Sequence, residues 1–176
     1  MYSFIYFFIH YIDTNWTTYP TISDWTYGET PITPTYKVDN TYLDINVMYR
    51  PIGGTFSKKL PTEVGEYEVI FISEKDDFRA FPLEDVVLTF NIKKANPICG
   101  IDSVITVDYG TKLSDIDLLG FGDGKWTFVN DANTIYPSGE HKIELLFSPT
   151  NYKNYNSVSK TITLIVNKLE VMFEAP

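Results

Sequence analysis

Apolar and polar residues alternate along much of this chain, and this pattern predicts β-strands. In Glu66–Phe71 the side chains of Tyr67, Val69 and Phe71 fall on one face. A period of two residues is typical of a strand that is buried on one side. We therefore predict that Val69 and Phe71 face a core.

The same alternation recurs later in the chain. Ile143, Leu145 and Phe147 occupy one face, and Lys142 lies on the other. We predict that the apolar residues are buried and that Lys142 faces water, as Glu68 does in the earlier strand.

Other segments rich in Val, Ile, Leu and Thr also predict strands, and no ten-residue segment carries a helical stripe. The further strands are predicted at Leu43–Tyr49, Val86–Ile92, Ser103–Val107 and Thr161–Val166. Leu113–Leu119 fits one helical turn at most, and Pro51–Gly54 (PIGG) predicts a tight turn.

The chain contains an internal repeat. Pro61–Phe71 (PTEVGEYEVIF) aligns with Ile135–Leu145 (IYPSGEHKIEL) at an offset of 74 residues, the distance from Gly65 to Gly139. The alignment continues without a gap as far as Lys94. Self-similarity of this length indicates tandem modules.

The first copy is longer than the second upstream of this alignment. Trp25–Thr30 (WTYGET) matches Val107–Lys112 (VDYGTK) at an offset of 82 residues, so eight additional residues lie between Gly28 and Gly65. The repeat divides the chain into four segments: an N-terminal apolar segment, 1–16; a first β module, 17–95; a second β module, 96–168; and the start of a further strand or module, 169–176.

Two small modules built from short alternating strands predict an all-β protein. Each module is predicted to form a small β-sandwich of two short sheets, β-grasp-like in detail as an alternative, with a short linker between the modules.

The second module resembles the tandem Ig-like and YGX-type (MBG-like) repeats of bacterial surface proteins and adhesins. The resemblance rests on YG at Tyr109, on LSDIDL, on the strand with Trp126, and on the segments PSGEHKI, NYKNY and TITLIVNK. It covers all of 96–168 and, in the first module, WTYGET and the residues from Pro61 onward. It implies an extracellular chain, secreted or attached to a cell wall, and an Ig-like fold.

The motifs shared by the two copies are framework motifs. The framework positions are Tyr27, Gly28, Gly65, Tyr109, Gly110 and Gly139. None of these motifs contains a catalytic group, and the resemblance implies no cofactor.

Charge and composition exclude several classes of binding partner and of metal site. The chain has 14 basic and 23 acidic residues and a net charge of −9, so it lacks the basic footprint of a nucleic-acid-binding protein. An acidic surface also disfavours anionic membranes. The single cysteine, Cys99, excludes an intrachain disulfide and the Cys₄ and Cys₂His₂ zinc sites.

Aromatic side chains supply the candidate binding residues. The aromatic content is 16%, and a shallow aromatic surface is predicted around Trp126, Tyr152 and Tyr155. The exposed edge of a closing strand is the other predicted location, because an open edge accepts an added strand. Most of the repeated aromatics are nevertheless expected to fill cores.

Other motifs resemble phosphate-binding or metal-binding sites only weakly. Gly120–Gly124 (GFGDG) lacks the Lys-Ser/Thr pair of a phosphate loop and predicts a turn. Two clusters of acidic residues could be considered as calcium ligands. Neither cluster matches the residue spacing of a calcium-binding loop, so we predict no metal site. The two clusters are Asp115, Asp117 and Asp123, and Glu74, Asp76 and Asp77.

The remaining reactive residues have no evident chemical partner in the sequence. Asn91 and Asn167 lie near closing strands, where acceptors of Lys–Asn isopeptide bonds occur, although a strand-end asparagine explains the same position. His141 and Cys99 have no neighbouring groups that indicate catalysis.

The predicted function is that of a non-catalytic spacer or stalk in adhesion, with neighbouring repeats as its partners. One alternative is a module that binds a carbohydrate or a host protein. The other is an accessory module of a secreted enzyme.

The N-terminal run Tyr2–Ile12 (YSFIYFFIHYI) is almost wholly apolar. It is shorter than the roughly 20 residues that span a bilayer. A strand, the start of a fragment and a degenerate export signal all fit this run.

Overall fold

The computed structural model describes residues 13–74 and 83–170. The chain divides into unit 1, residues 1–93, and unit 2, residues 94–176. Several residues discussed above lie outside the described residues: the run Tyr2–Ile12, Asp76, Asp77 and the segment 171–176.

Twelve strands form most of the regular structure of the described residues. Unit 1 contains β1 (Trp16–Thr21), β2 (Trp25–Thr26), β3 (Thr35–Val38), β4 (Ile45–Pro51), β5 (Gly65–Ser73) and β6 (Val86–Lys93). Unit 2 contains β7 (Gly100–Ile101), β8 (Val104–Asp108), β9 (Gly120–Phe121), β10 (Gly124–Phe128), β11 (Gly139–Pro149) and β12 (Val158–Asn167).

Each unit is built on a four-stranded mixed sheet. The order is β2-β6-β5-β4 in unit 1 and β8-β12-β11-β10 in unit 2. In both sheets the last strand pairs in parallel with an early strand, and the other pairs are antiparallel. The repeat in sequence is therefore a repeat in topology.

A two-stranded sheet covers one face of each four-stranded sheet. In unit 1, β1 pairs with β3, and Tyr36 of β3 meets Phe71 of β5 edge to face at 5.4 Å. In unit 2, β7 pairs with β9, and Ile101 of β7 belongs to the same buried cluster as Phe147. Each unit is thus a small Ig-like β-sandwich, which confirms the predicted all-β class.

The β-grasp alternative finds no support in the described residues. A β-grasp packs an α-helix on its sheet, but residues 13–74 and 83–170 contain no α-helix. The predicted helical turn is a 3₁₀ turn at Leu113–Asp115.

The predicted faces of the two long hairpin strands are confirmed. Val69, Phe71, Ile143 and Leu145 are all 0% exposed. Lys142 faces water as predicted. The opposite-face residue of unit 1, Glu68, is instead half-buried because its carboxylate pairs with the Arg50 guanidinium at 2.6 Å.

The additional residues of the first copy cover a sheet edge. Ile45 pairs with Ser73, and Trp126 pairs with Phe147, so the offset of 74 makes Ile45 and Trp126 equivalent. Ile45 lies 20 residues before Gly65, whereas Trp126 lies 13 residues before Gly139. Seven of the eight additional residues of the first copy therefore lie between Ile45 and Gly65. They lie in the stretch that contains Ser57.

Ser57 forms two backbone hydrogen bonds with the outer edge of β4. The Tyr49 N–H donates to the Ser57 carbonyl at 2.7 Å, and the Ser57 N–H donates to the Tyr49 carbonyl at 2.8 Å. The pairing is antiparallel.

The closing strands, for which an open edge is predicted, are paired along only part of that edge. They are β6 and β12, and each has a strand on both sides in its sheet. The parallel partner pairs with Ile92 and Lys93 of β6 and with Thr163–Asn167 of β12. The strand at the edge beside β11 is β10. A closing strand is central here because the early strand of each sheet joins it from the other side.

Candidate functional site

A cleft of about 610 Å³ runs beside β10 in unit 2. We call it the β10 cleft; it lies between β10 and the segment 113–121. Its floor is apolar, because Leu113, Trp126 and Phe147 belong to the buried core. This cleft adjoins a strand that has no partner on one side among the described residues.

The rim of the β10 cleft carries exposed apolar side chains. Leu119 is 81% exposed and Phe121 is 63% exposed. Exposed apolar groups beside a concave surface are typical of interaction sites. Asp117 and Lys125 add one charge of each sign to the lining.

The indole nitrogen of Trp126 is a buried donor in this cleft. Trp126 is 6% exposed, and its Nε1 has no hydrogen-bond partner among the described residues. An unsatisfied buried donor costs about 1–3 kcal/mol. Gly120 packs against the same edge of the indole, where an added Cβ would lie 2.8 Å from Nε1.

The glycine-rich turn before β10 is explained by close packing. An added Cβ at Gly124 would lie 2.4 Å from the Ser148 carbonyl oxygen, and one at Gly122 would lie 2.8 Å from Cys99 Cβ. Gly122 also has a positive φ of 126°. These contacts exclude larger residues at the two positions. Close packing therefore explains the glycines of this turn, and no phosphate ligand is needed to explain them.

The predicted aromatic residues do not form one surface. Trp126 contributes its buried indole to the floor of the β10 cleft, whereas neither Tyr152 nor Tyr155 lines that cleft. Tyr152 is 66% exposed in the turn after β11, and Tyr155 is half-buried, forming an isolated bridge with Ala95.

The YG pairs adopt the same turn in both units. Gly28 and Gly110 have positive φ angles of 83° and 96°. The Glu29 N–H donates to the Thr26 carbonyl, and the matching Thr111 N–H donates to the Asp108 carbonyl. Glycine recurs here because a left-handed backbone strains other residues.

The tyrosines of these YG pairs differ in environment. Tyr27 packs against the core of unit 1, whereas Tyr109 is half exposed. The two glycines that the 74-residue offset aligns, Gly65 and Gly139, also differ in their surroundings. An added Cβ at Gly65 would lie 3.2 Å from the Tyr67 ring, whereas Gly139 has open space but a φ of 131°.

Tyr67 and His141 occupy equivalent positions and make equivalent contacts. The Tyr67 hydroxyl donates to the Glu63 carbonyl at 2.9 Å. His141 Nε2 lies 2.7 Å from the Pro137 carbonyl, also four residues earlier. His141 therefore ties a strand to the preceding loop, as a tyrosine corner does.

The asparagines near the closing strands bind aspartates. The Asn91 backbone N–H donates to Asp24 Oδ1 at 2.9 Å, and Lys93 Nζ lies 2.9 Å from Asp24 Oδ2. The Lys93 hydrogen bond, followed by that from the Asn91 backbone, lowers the pKa of Asp24. Asn167 donates to Asp108 Oδ1 at 3.0 Å.

The carboxylates considered for calcium are not grouped where the structure describes them, which leaves out Asp76 and Asp77. Within the described ranges no three His, Cys, Asp or Glu side chains are placed to hold a metal ion. Asp117 lines the β10 cleft, whereas Asp115 accepts a hydrogen bond from the neighbouring Ser114 hydroxyl.

Sequence reasoning missed an aromatic cluster on the small sheet of unit 1. Trp16 meets Tyr19 and Tyr36 edge to face, with ring centroids 6.3 Å apart in both pairs. Trp16 and Tyr19 fall three residues apart, so a strict period of two does not reveal this cluster; register shifts in β1 bring the rings together. Perpendicular rings do not form the flat platform on which a sugar stacks.

Comparison with known proteins identifies no family. No protein-family profile matches the chain, and no curated protein is similar to it. Among solved structures, the fibronectin(III)-like modules of Clostridium thermocellum CbhA match at 13% identity and a TM-score of 0.30. That match covers 93% of this chain and 100% of the module chain. In the described part of the chain, no helix is long and apolar enough to cross a membrane.

Proposed function

We propose that this chain is a non-catalytic repeat region of a bacterial surface or secreted protein, in which it serves as a structural spacer. Its neighbours along the parent chain are further repeats of the same kind. The YGX-type resemblance of its motifs supports this source and an extracellular location.

The supporting observation is that the repeated residues build the same structure twice. The YG turn and the four-stranded sheet recur in both units. The corner contact recurs as well, through Tyr67 in one unit and His141 in the other. Duplicated residues that serve the framework are what a modular spacer requires, because each module has to fold with its own core.

The spacer proposal is tested by replacement on a cell surface. The chain is inserted between a membrane anchor and a distal epitope tag, and antibody access to the tag is measured by flow cytometry. We expect deletion of the chain to reduce access and an unrelated β-sandwich pair of equal length to restore it. Failure of the unrelated pair to restore access would contradict a purely structural role.

The non-catalytic part of the proposal is tested separately. The purified chain is screened against a glycan array and a panel of glycosidase substrates. We expect no turnover. Turnover that disappears when Asp117 is changed to Asn, but persists in the control Asp115→Asn, would overturn the proposal.

A further inference from the structure

We propose that the outer edge of β10 is a docking site for an extended peptide segment of a partner protein. The segment adds to the unit 2 sheet as an antiparallel strand, carries no net charge and directs apolar side chains into the β10 cleft. This binding role goes beyond that of a spacer.

The backbone of β10 is open on its outer side. The Val129 N–H donates to the Glu144 carbonyl of β11 at 3.1 Å. Because N–H and C=O groups of successive strand residues point to opposite sides, those of Trp126 and Phe128 point away from β11. In residues 13–74 and 83–170 nothing pairs with β10 on that side.

The other unit shows what kind of occupant fits this edge. On the equivalent strand, β4, the outer backbone groups of Tyr49 bond with an extended segment through Ser57. The register aligns Tyr49 with Asn130, two residues beyond Phe128, so this segment lies along the continuation of the same edge. The additional residues of the first copy supply that segment. Unit 2 lacks them, so a strand-like occupant has to come from outside the module.

The cleft determines the side chains of the occupant. Its floor of Leu113 and Phe147 and its rim of Leu119 and Phe121 favour apolar groups. A strand directs alternate side chains to one face, so every second residue of the occupant meets this surface.

The charges around the site favour a neutral peptide over a second copy of this chain. The cleft lining contains one acidic residue, Asp117, and one basic residue, Lys125, which offset each other. Two copies of the chain would each bring a net charge of −9, and their repulsion opposes edge-to-edge pairing.

The unsatisfied indole N–H of Trp126 is an independent indication of a ligand. Trp126 is more than nine-tenths buried, lines the cleft and has no acceptor for Nε1 in the described part of the chain. Native proteins pair nearly all such buried donors. A carbonyl or hydroxyl oxygen of the occupant supplies the missing acceptor once Gly120, which packs against the indole edge, moves aside.

The proposal is tested by NMR with a synthetic strand. The probe is acetyl-Thr-Val-Ser-Val-Thr-Val-Ser-amide, titrated into the isotope-labelled chain to about 1 mM, a range that detects weak complexes. We expect the amide resonances of Trp126 and Phe128 and the indole resonance of Trp126 to shift. Hydrogen exchange of the backbone amides of Trp126 and Phe128 should slow. Exchange at Thr127 and Val129, whose N–H groups face β11, should stay unchanged.

Matched surface variants separate cleft binding from nonspecific contact. Leu119→Asp places a charge on the rim, and Ile98→Asp places one on an 89% exposed residue outside the cleft lining. Because both residues are exposed, both variants should fold. We expect Leu119→Asp to weaken peptide binding at least about tenfold and Ile98→Asp to leave it unchanged.

Three results would overturn the proposal. The first is that no resonance of Trp126 or Phe128 shifts when peptide is added. The second is that the two variants weaken peptide binding equally. The third is a concentration-dependent dimer that protects the same amides from exchange without peptide. The last result would assign the edge to a second copy.

Discussion

At the scale of single residues, the two units keep a contact while changing the side chain that makes it. Tyr67 and His141 both reach the carbonyl four residues earlier. The repeat alignment pairs these positions, but the contact itself was not predicted, because its acceptor is a backbone carbonyl placed by the loop. A histidine without catalytic neighbours in sequence is thus explained by architecture.

Removal of the Tyr67 hydroxyl tests this contact. We expect Tyr67→Phe to lower the free energy of unfolding of unit 1 by about 1 kcal/mol, because the Glu63 carbonyl loses its donor. Chemical denaturation measures the change. The control is Tyr19→Phe, at an exposed tyrosine on β1, and an equal loss in that variant would contradict the prediction.

Burial also makes unit 1 sensitive to alkali. Desolvation raises the pKa of Tyr49 and Tyr67 above the usual value of about 10. The fold therefore favours the neutral phenols, and this stabilisation is fully present below the unfolded pKa and is lost as the pH rises through the folded pKa.

Denaturation curves measured across this alkaline range should show unit 1 losing stability. The double variant Tyr49→Phe/Tyr67→Phe should show a shallower decline, since it has no buried phenol at these two positions to ionise. An equally steep decline in the double variant would rule out these tyrosines as the cause.

At the scale of strands, alternation predicts faces but not neighbours. The buried faces of β5 and β11 follow from their period of two, and the structure confirms them. The edge position of β10 does not follow, because strand order depends on long-range pairing that local patterns do not encode. For the same reason the eight additional residues were recognised in sequence, but their covering of the β4 edge was not.

Truncation of the central strands should be costly. We expect Leu145→Ala to lower the free energy of unfolding by about 2–5 kcal/mol, because this side chain is fully buried and leaves a cavity. Leu119→Ala, at an exposed position, should cost much less. A comparable loss in both variants, measured by urea denaturation, would show that the assigned faces are wrong.

At the scale of the molecule, each unit has its own core. One buried cluster is centred on Phe71 and Phe90, and the other on Ile143, Leu145 and Phe147. The duplicated sequence predicts two such cores. The β10 cleft was not predictable in this way, because it lies between β10 and the segment 113–121, which only long-range packing brings together.

Independent cores predict independent folding. We expect a fragment of residues 94–170 to fold alone and to show the dispersed amide resonances of a packed β protein. Phe71→Ala in the full chain should shift the unfolding of unit 1 and leave these unit 2 resonances in place. A fragment that stays unfolded would mean that unit 2 requires unit 1.

The parallel pairing between the early and closing strands determines how each unit resists being pulled from its ends. Tension along the chain draws the early and the closing strand of such a parallel pair in opposite directions. Their hydrogen bonds are therefore loaded together in shear rather than opened one after another. β8 and β12 are joined over five residue pairs, whereas β2 and β6 are joined over two. When the chain is stretched to a fixed length, unit 1 should therefore rupture first, and its released length would lower the tension on unit 2.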